Sequence, residues 1–224
     1  MTHEAPVPAG FTPERVGFFT DAVFAIAMTL LVIEIPRPPE TDKGFDVGDG
    51  VGKLDAALNL WRFVADQSGA FVAYLLAFFV LWIVWRAHHT VFDRIGRLSP
   101  AVVGWHFPLL LLIGFLPYPT TVLGHHSGNP FAALLYAVTV AALLLCRSVI
   151  LTAVGRDGLL LPHVDVGEHD TEATLSWVVT AYWVVTIAFV WWVPYTMILW
   201  GLTAPFASVA RRFVRRRIAK AAAE

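Results

Sequence analysis

The chain has 224 residues, of which 57% are hydrophobic and 15% charged, with a formal net charge of −1. Soluble domains are about 25% charged and about 45–50% apolar, so this composition indicates an integral membrane protein and excludes an ordinary soluble domain. The single Cys146 excludes an intrachain disulfide and fits a small buried hydrophobic residue. The net charge neither favours nor disfavours binding of nucleic acid. No basic patch with interleaved aromatic residues precedes the C-terminal tail, so we expect no nucleic-acid partner.

The first hydrophobic stretch begins with a helix-start signal and ends at prolines. Thr12 can cap the helix and Pro13 fits its first position, whereas Pro36 closes it. The roughly 23 residues between these signals reach about 34 Å as a helix, which is one hydrocarbon thickness. Charged residues inside a span need a protein or water partner, and this stretch contains Asp21 and Glu34. We therefore expect a functional element of a helical bundle.

The helical period divides this first span into faces. One stripe at three- and four-residue spacing consists of Phe19, Ala22, Ile26, Thr29, Leu30 and Ile33. Asp21 lies about 140° from Ile26 around the helix and so faces a different neighbour. The pattern alone is compatible with ordinary core packing of the stripe.

Further apolar segments predict six transmembrane helices in an all-α fold, with one domain over residues 1–224. The predicted spans are residues 13–36, 69–92, 101–123, 131–154, 173–191 and 194–211. Residues 37–66 are rich in Pro, Gly and Asp, and within them Leu54, Leu58 and Trp61 indicate a short amphipathic helix at the membrane surface. Arg86 and Arg147 fall inside spans, and we expect structural roles for both.

The boundary between the fifth and sixth spans depends on Pro194. The apolar stretch 173–209 is too long for one crossing, and Pro194 lies beside Trp191, Trp192 and Tyr195, which favour the membrane interface. A Pro-kinked or re-entrant hairpin is the alternative, which leaves the number of full crossings open.

Lysine and arginine predict the orientation. The basic tail, residues 212–224, follows Arg211, and the connection between the second and third spans contains Arg94 and Arg97. Positive charge favours the cytoplasm, and an even number of spans puts both termini on one side. We expect a multi-pass protein of the cell (inner or plasma) membrane with both termini cytoplasmic.

Residues of the first span carry a family resemblance. The motif Arg15-x-x-x-Phe19-Thr20-Asp21 resembles the R-x-x-x-F-S-D motif that opens the first helix of the transmembrane protein 175 family of potassium channels. Thr20 replaces Ser and keeps the hydroxyl. Agreement continues in the segments Trp85-Arg86-Ala87-His88-His89 and Leu116-Pro117-Tyr118-Pro119-Thr120. Close residue matches cover about the first half of the chain.

The resemblance implies a potassium-permeable channel with its pore lined by the first helix. It places an apolar constriction at Ile26, a hydroxyl at Thr29 and further apolar layers at Leu30 and Ile33. Because the two-unit animal members work as dimers, it also implies a homotetramer of this single-unit chain, whereas the residues themselves are compatible with four or five copies around a pore. No T-V-G-Y-G filter sequence is present, so we expect only a modest preference for potassium over other monovalent cations.

The resemblance further implies that Arg15 and Asp21 of the motif tie the first helix to its neighbours. With the predicted topology, His88, His89 and His106 lie near the same membrane face as Asp21, and imidazole or indole N–H groups can donate to its carboxylate. Our hypothesis is that Asp21 pairs with His89 or His106. The alternative is that these histidines are interfacial and solvated.

Other function classes find little support. Zinc-type ligand spacing, nucleophile motifs and phosphate-binding loops do not occur, so we expect no metal, no cofactor and no enzymatic activity. A secondary transporter or a non-conducting membrane scaffold remains as the alternative function. A transporter would usually show inverted repeats, and the motif of the first helix occurs once.

Overall fold

The computed structural model describes residues 12–48 and 50–221. Over these residues the protein is helical, and its only β-type pairs are two isolated bridges. The all-α class is therefore confirmed. Two short 3-10 helices cover Lys43–Phe45 and Ile187–Trp192. The α-helices are α1 Pro13–Ile33, α2 Lys53–Asp66, α3 Ser68–Phe92, α4 Pro100–Phe115, α5 Pro117–His125, α6 Pro130–Arg156, α7 Val166–Thr186, α8 Val193–Gly201 and α9 Thr203–Ala221.

Local capping fixes where the long helices begin. The Thr12 side chain accepts a hydrogen bond from the backbone N–H of Arg15 at 3.3 Å, and Pro13 occupies the first turn of α1. Ser99 and Asn129 cap α4 and α6 in the same way. Asp165 caps α7, which therefore begins at Val166, seven residues before the start predicted for the fifth span.

Five helical segments of the described chain are long and apolar enough to cross a membrane. They are Pro13–Ile33, Ser68–Phe92, Pro100–His125, Pro130–Arg156 and Val166–Trp192. The third segment combines α4 and α5. The sixth predicted span, residues 194–211, corresponds to α8 and the first half of α9, which are separated at Leu202. The end of the predicted basic tail, residues 222–224, lies outside the described residues.

The last two helices, α8 and α9, which we call the α8–α9 limb, run back along α7. Tyr182 of α7 stacks on Phe206 of α9 with ring centroids 4.3 Å apart, and nearer the turn Trp183 stacks on Trp200 at 5.4 Å. The Trp200 indole also donates to the Thr186 hydroxyl at 2.9 Å. Because residue numbers rise on one helix as they fall on the other, α7 and the α8–α9 limb form an antiparallel hairpin.

Helix α6 occupies the middle of the bundle. Of its span, 61% is buried inside the subunit, against 28% for α1. It packs against α4 and α5 on one side and α7 on the other. Helix α1 packs mainly on α3, α4 and α5, so it lies on the opposite side of the subunit from the α7–α9 hairpin.

Glycines allow α3 and α5 to cross closely. A Cβ added at Gly69 would lie 2.9 Å from the carbonyl oxygen of Gly124, and one added at Gly124 would lie 2.8 Å from Cα of Ala70. Small residues at helix crossings let membrane helices gain backbone contact. The crossing fixes α3 against α5 at the end of the bundle opposite His88 and His89.

Polar links gather several helix ends at one end of the bundle, which we call the basic end. Arg94, after α3, donates to Glu168 of α7 at 3.3 Å. Arg211 of α9 donates to Glu172 of α7. Since the N-terminal part of α1 contacts the C-terminal part of α3 through Asp21 and Trp85, both described ends of the chain approach the basic end.

Candidate functional site: an exposed face of α1 and its anchor

One face of α1 packs inside the subunit. Thr20, Phe24, Ala27 and Leu31 are at most 2% exposed and recur at four-, three- and four-residue intervals. This spacing follows the helical period, so the buried residues form one stripe. The Thr20 hydroxyl donates to the carbonyl of Val16 at 2.7 Å, which satisfies its polar group inside the helix.

The predicted pore residues lie on another face, which the subunit leaves uncovered. Ile26 is 60% exposed, Leu30 41% and Ile33 55%. Thr29 is exposed between them, and its hydroxyl donates to the Ile26 carbonyl at 2.8 Å. We call Ile26, Thr29, Leu30 and Ile33 the α1 stripe. It has the apolar character of a buried surface, yet the described residues of the subunit leave about 40–60% of its three apolar side chains exposed.

A carboxylate anchors α1 to α3. Asp21 Oδ1 accepts a hydrogen bond from the indole N–H of Trp85 at 2.8 Å. His89 Nδ1 lies 3.7 Å from Asp21 Oδ2, and its Nε2 lies 3.7 Å from Asp93 Oδ2. These longer distances provide attraction when the imidazole is protonated, whereas the indole bond forms in either state. Trp85 is thus the direct donor, and His89 stacks on it with ring centroids 5.6 Å apart.

His106 is bound elsewhere, so the predicted alternative of an Asp21–His106 pair was wrong. Its Nδ1 donates to the Val102 carbonyl one turn back at 2.8 Å. The ring lies against His88 and Phe92, with centroids 5.1 and 5.0 Å away. His88 and His106 are each 4% exposed, so the solvated alternative fits only His89, whose side chain is 52% exposed.

The two buried histidines belong to a ring cluster that packs against α1. Phe24 of α1 is fully buried with its ring 6.3 Å from His88, and His88 stacks on Phe92 at 4.4 Å. Within the described part of the chain, Nε2 of His88 and Nε2 of His106 have no hydrogen-bond partner. The cluster therefore acts on α1 through ring packing, whereas Asp21 acts through a polar bond.

The remaining motif residues point outward. The Arg15 side chain is exposed and Phe19 is 63% exposed, on the uncovered side of α1. Only Thr20 and Asp21 of the motif are directed into the subunit. In the described residues no group of three or more His, Cys, Asp or Glu side chains is arranged to hold a metal ion.

A second polar cluster between α6 and α7 was missed as a site from the sequence. Arg147 donates to the Ser176 hydroxyl at 2.7 Å. Ser148 lies 2.7 Å from Ser176 and 3.0 Å from Thr180, oxygen to oxygen. The available signal was the pair Ser176 and Thr180, one turn apart in an apolar helix and able to face a polar partner.

Comparisons with known proteins agree with this arrangement. The family model described as "Endosomal/lysosomal potassium channel TMEM175" matches residues 15–117. A protein of Streptomyces collinus, named a potassium channel, is 30% identical over 156 residues, which are 67% of this chain and 69% of that protein. This chain belongs to the TMEM175 family. The matched region includes α1, α3 and the Asp21–Trp85 anchor of this TMEM175-family protein.

Two further similarities concern Chamaesiphon minutus. A potassium channel of that organism is 34% identical over 118 residues, so the match covers 53% of this chain and 52% of that relative. The crystal structure of a lysosomal potassium-selective channel TMEM175 homolog from the same organism superimposes with a TM-score of 0.65 at 23% identity. That superposition covers 92% of this chain and 97% of the other, which shows a shared fold over nearly the whole TMEM175-family protein.

Proposed function

We propose that this TMEM175-family chain is a subunit of a potassium-permeable cation channel whose pore is lined by α1. The observation that carries the proposal is the α1 stripe, an apolar row interrupted by one hydroxyl, which stays about half exposed among the described residues while the opposite face of α1 is buried. Relatives named potassium channels support the choice of ion. The expected activity is passive conduction along the axis of an oligomer.

The packing of the subunit supports a pore between copies. Helix α6 fills the middle of each subunit, and α1 lies at its side. Several copies arranged around an axis bring their α1 stripes together, because closed oligomers present the same surface from every subunit. We propose a homotetramer, following the arrangement implied by the family.

Ile26 is our candidate for the constriction. A ring of isoleucine side chains repels water and closes a narrow pore by dewetting. Leu30 and Ile33 add apolar layers one and two turns further along. The Thr29 hydroxyl places a polar oxygen beside the ring, where it can contact a hydrated cation. Selectivity then rests on pore radius and ordered water, and the preference for potassium is modest.

For topology, we propose that the α8–α9 limb is a sixth crossing. Its antiparallel path along α7 supports this, although α8 has only nine residues and the end of α9 is basic. The basic end, with Arg94 and the arginines of α9, would then face the cytoplasm. The protein would lie in the cell membrane with both termini inside.

Ion flux from liposomes tests the pore assignment. Wild type, Ile26→Ala and the control Val32→Ala are compared in potassium and sodium gradients. Val32 is 51% exposed on the same helix but lies about 120° from Ile26 around its axis. We expect Ile26→Ala to raise flux severalfold and to reduce the preference for potassium, with Val32→Ala like wild type.

Other outcomes would contradict the proposal in distinct ways. Equal effects of the two alanine substitutions would remove the constriction from Ile26. Saturable flux that requires a countersubstrate would indicate a transporter. Absence of flux from wild type and Ile26→Ala, with assembly verified, would indicate a scaffold.

A further inference from the structure

A groove at the basic end lies between the last turns of α6, the first half of α7 and α9. Its volume is about 540 Å³, within the size range of small-molecule sites. The α6 and α7 residues that line it include Leu151, Arg156, Asp170 and Trp177, and α9 contributes Ile218. None of these residues belongs to the α1 stripe or its anchor, so the groove is separate from the proposed pore.

The chemistry of the groove changes along its length. Arg156 ends α6 and Asp170 lies in the first turns of α7, so charged groups line the part nearest the aqueous phase. Leu151 lies more than one turn deeper on α6, and Trp177 about two turns deeper on α7. The Trp177 indole donates to Thr152 at 3.0 Å while the ring stays 42% exposed. The groove is thus polar at its opening, which we call the mouth, and apolar further in. Trp177 lies in the apolar part, and tryptophan is enriched at membrane–water interfaces.

The two opposite charges of the mouth restrict what can bind there. Arg156 donates its Nε–H to Asp157 at 2.8 Å, and the rest of its guanidinium fork can bind a phosphate. Asp170 is exposed and can accept hydrogen bonds from an ammonium group. Arg215 is exposed three residues before Ile218 on α9, which adds positive charge beside the groove.

We propose that this groove binds a phospholipid whose headgroup contains both a phosphate and a primary amine. Arg156 binds the phosphate, Asp170 accepts from the ammonium, and the start of the acyl chains lies against Leu151 and Trp177. Asp170 disfavours a purely anionic headgroup, and a quaternary amine lacks the N–H donors that Asp170 would accept. The groove lies on the side of the subunit away from α1, where an oligomer with α1 at its axis faces lipid.

The proposal requires membrane insertion but not conduction, so its test is independent of ion flux. The full chain is purified in detergent, titrated with phosphatidylethanolamine, phosphatidylglycerol or phosphatidylcholine, and examined by native mass spectrometry. Variants are Arg156→Gln and Asp170→Asn. Matched controls are Arg86→Gln and Asp93→Asn, which remove the same charges from exposed positions in the last two turns of α3 and directly after it.

We expect wild type to bind phosphatidylethanolamine most tightly. Loss of a charge-assisted hydrogen bond should make Arg156→Gln bind it about tenfold more weakly. Asp170→Asn should lose the preference over phosphatidylglycerol, and both controls should stay within about twofold of wild type. Soluble glycerophosphoethanolamine should fail to compete at equal concentration, because it lacks the acyl chains.

Three results would overturn the proposal. Equal binding of the three lipids by wild type would remove headgroup recognition. Variants that bind like their controls would move the lipid away from the groove. Loss of subunits from the oligomer in Arg156→Gln or Asp170→Asn, with lipid binding unchanged, would assign the groove to a contact between copies of the chain.

Discussion

Trp85 donates its indole N–H to Asp21 across 2.8 Å, and this bond joins α3 to the helix that carries the α1 stripe. The bond lies one to two turns before Ile26 on α1. It sets the rotation of α1 about its own axis, because Asp21 faces a different direction from the stripe. A change at Trp85 should therefore alter conduction through the proposed pore without any contact between Trp85 and the permeating ion.

Trp85→Phe tests this connection. The substitution keeps a ring but leaves a charged acceptor without its donor, so we expect a loss of about 1–2 kcal/mol in unfolding free energy. This range is lower than that for a fully buried hydrogen bond to a charged group, because the Asp21 side chain is 32% exposed and solvent screens its charge. Thermal unfolding in detergent and liposome flux should both change. The control Trp105→Phe alters an indole that is 39% exposed on α4 and should have little effect.

Asp21→Asn separates the two partners of the carboxylate. Asparagine keeps an oxygen that accepts from Trp85, but it removes the charge that attracts His89. We expect a smaller loss of stability than with Trp85→Phe. If Asp21→Asn costs more than Trp85→Phe, the pairing with His89 matters more than the 2.8 Å indole bond.

His106 offers a contrast between ring packing and polarity. His106→Phe retains contacts with His88 and Phe92 and removes a buried nitrogen that has no partner in the described residues. We expect a thermal midpoint close to wild type. His106→Ala opens a cavity and should cost about 2–4 kcal/mol. A large loss with His106→Phe would show that the bond to the Val102 carbonyl, or an interaction of Nε2, has a larger role than packing.

The Arg147–Ser176 pair should couple α6 to α7 energetically. Ser176→Ala removes the acceptor 2.7 Å from the guanidinium, and we expect a loss of about 1.5–3 kcal/mol. In an Arg147→Met background the same change should cost less, because no charge is left without its acceptor. Ser208→Ala, at an exposed serine bonded within α9, is the control. Additive effects of Arg147→Met and Ser176→Ala would contradict the coupling.

The number of crossings can be measured by labelling. In a Cys146→Ala background, single cysteines are introduced as Thr12→Cys, Lys53→Cys and Lys220→Cys, all at exposed positions. In right-side-out vesicles we expect an impermeant maleimide to label only Lys53→Cys. Labelling of Lys220→Cys together with protection of Thr12→Cys would indicate an odd number of crossings and remove the sixth span.

Helix starts were predictable because their causes are local. Thr12 and Pro13 are adjacent in sequence and act on the same turn, so the sequence alone predicts where α1 begins. Pro194 likewise lies in the first turn of α8, at the predicted break. The start of α7 was missed, because the acidic residues around Asp165 resemble a solvated loop although Asp165 caps a helix.

The partner of Asp21 could not be chosen from sequence. His88, His89 and Trp85 follow one another within little more than one turn of α3, so the rotation of α3 against α1 decides which of them reaches the carboxylate. That rotation depends on nonlocal packing, including the Gly69–Gly124 crossing at the far end of α3. Ring clusters such as His88 with His106 depend on the same nonlocal fit.

The hairpin of α7 with α8 and α9 also has a consequence for biosynthesis. Helix α8 contributes nine residues, and basic side chains fill the second half of α9, so this limb is a weak insertion signal by itself. Its bonds to α7, through Trp200 and Thr186, form only when both limbs are in place. Helix α7 and the α8–α9 limb should therefore insert into the membrane together. A nascent chain released after Trp192 would lack Trp200, so Trp183 would have no stacking partner and the chain should be degraded by quality control.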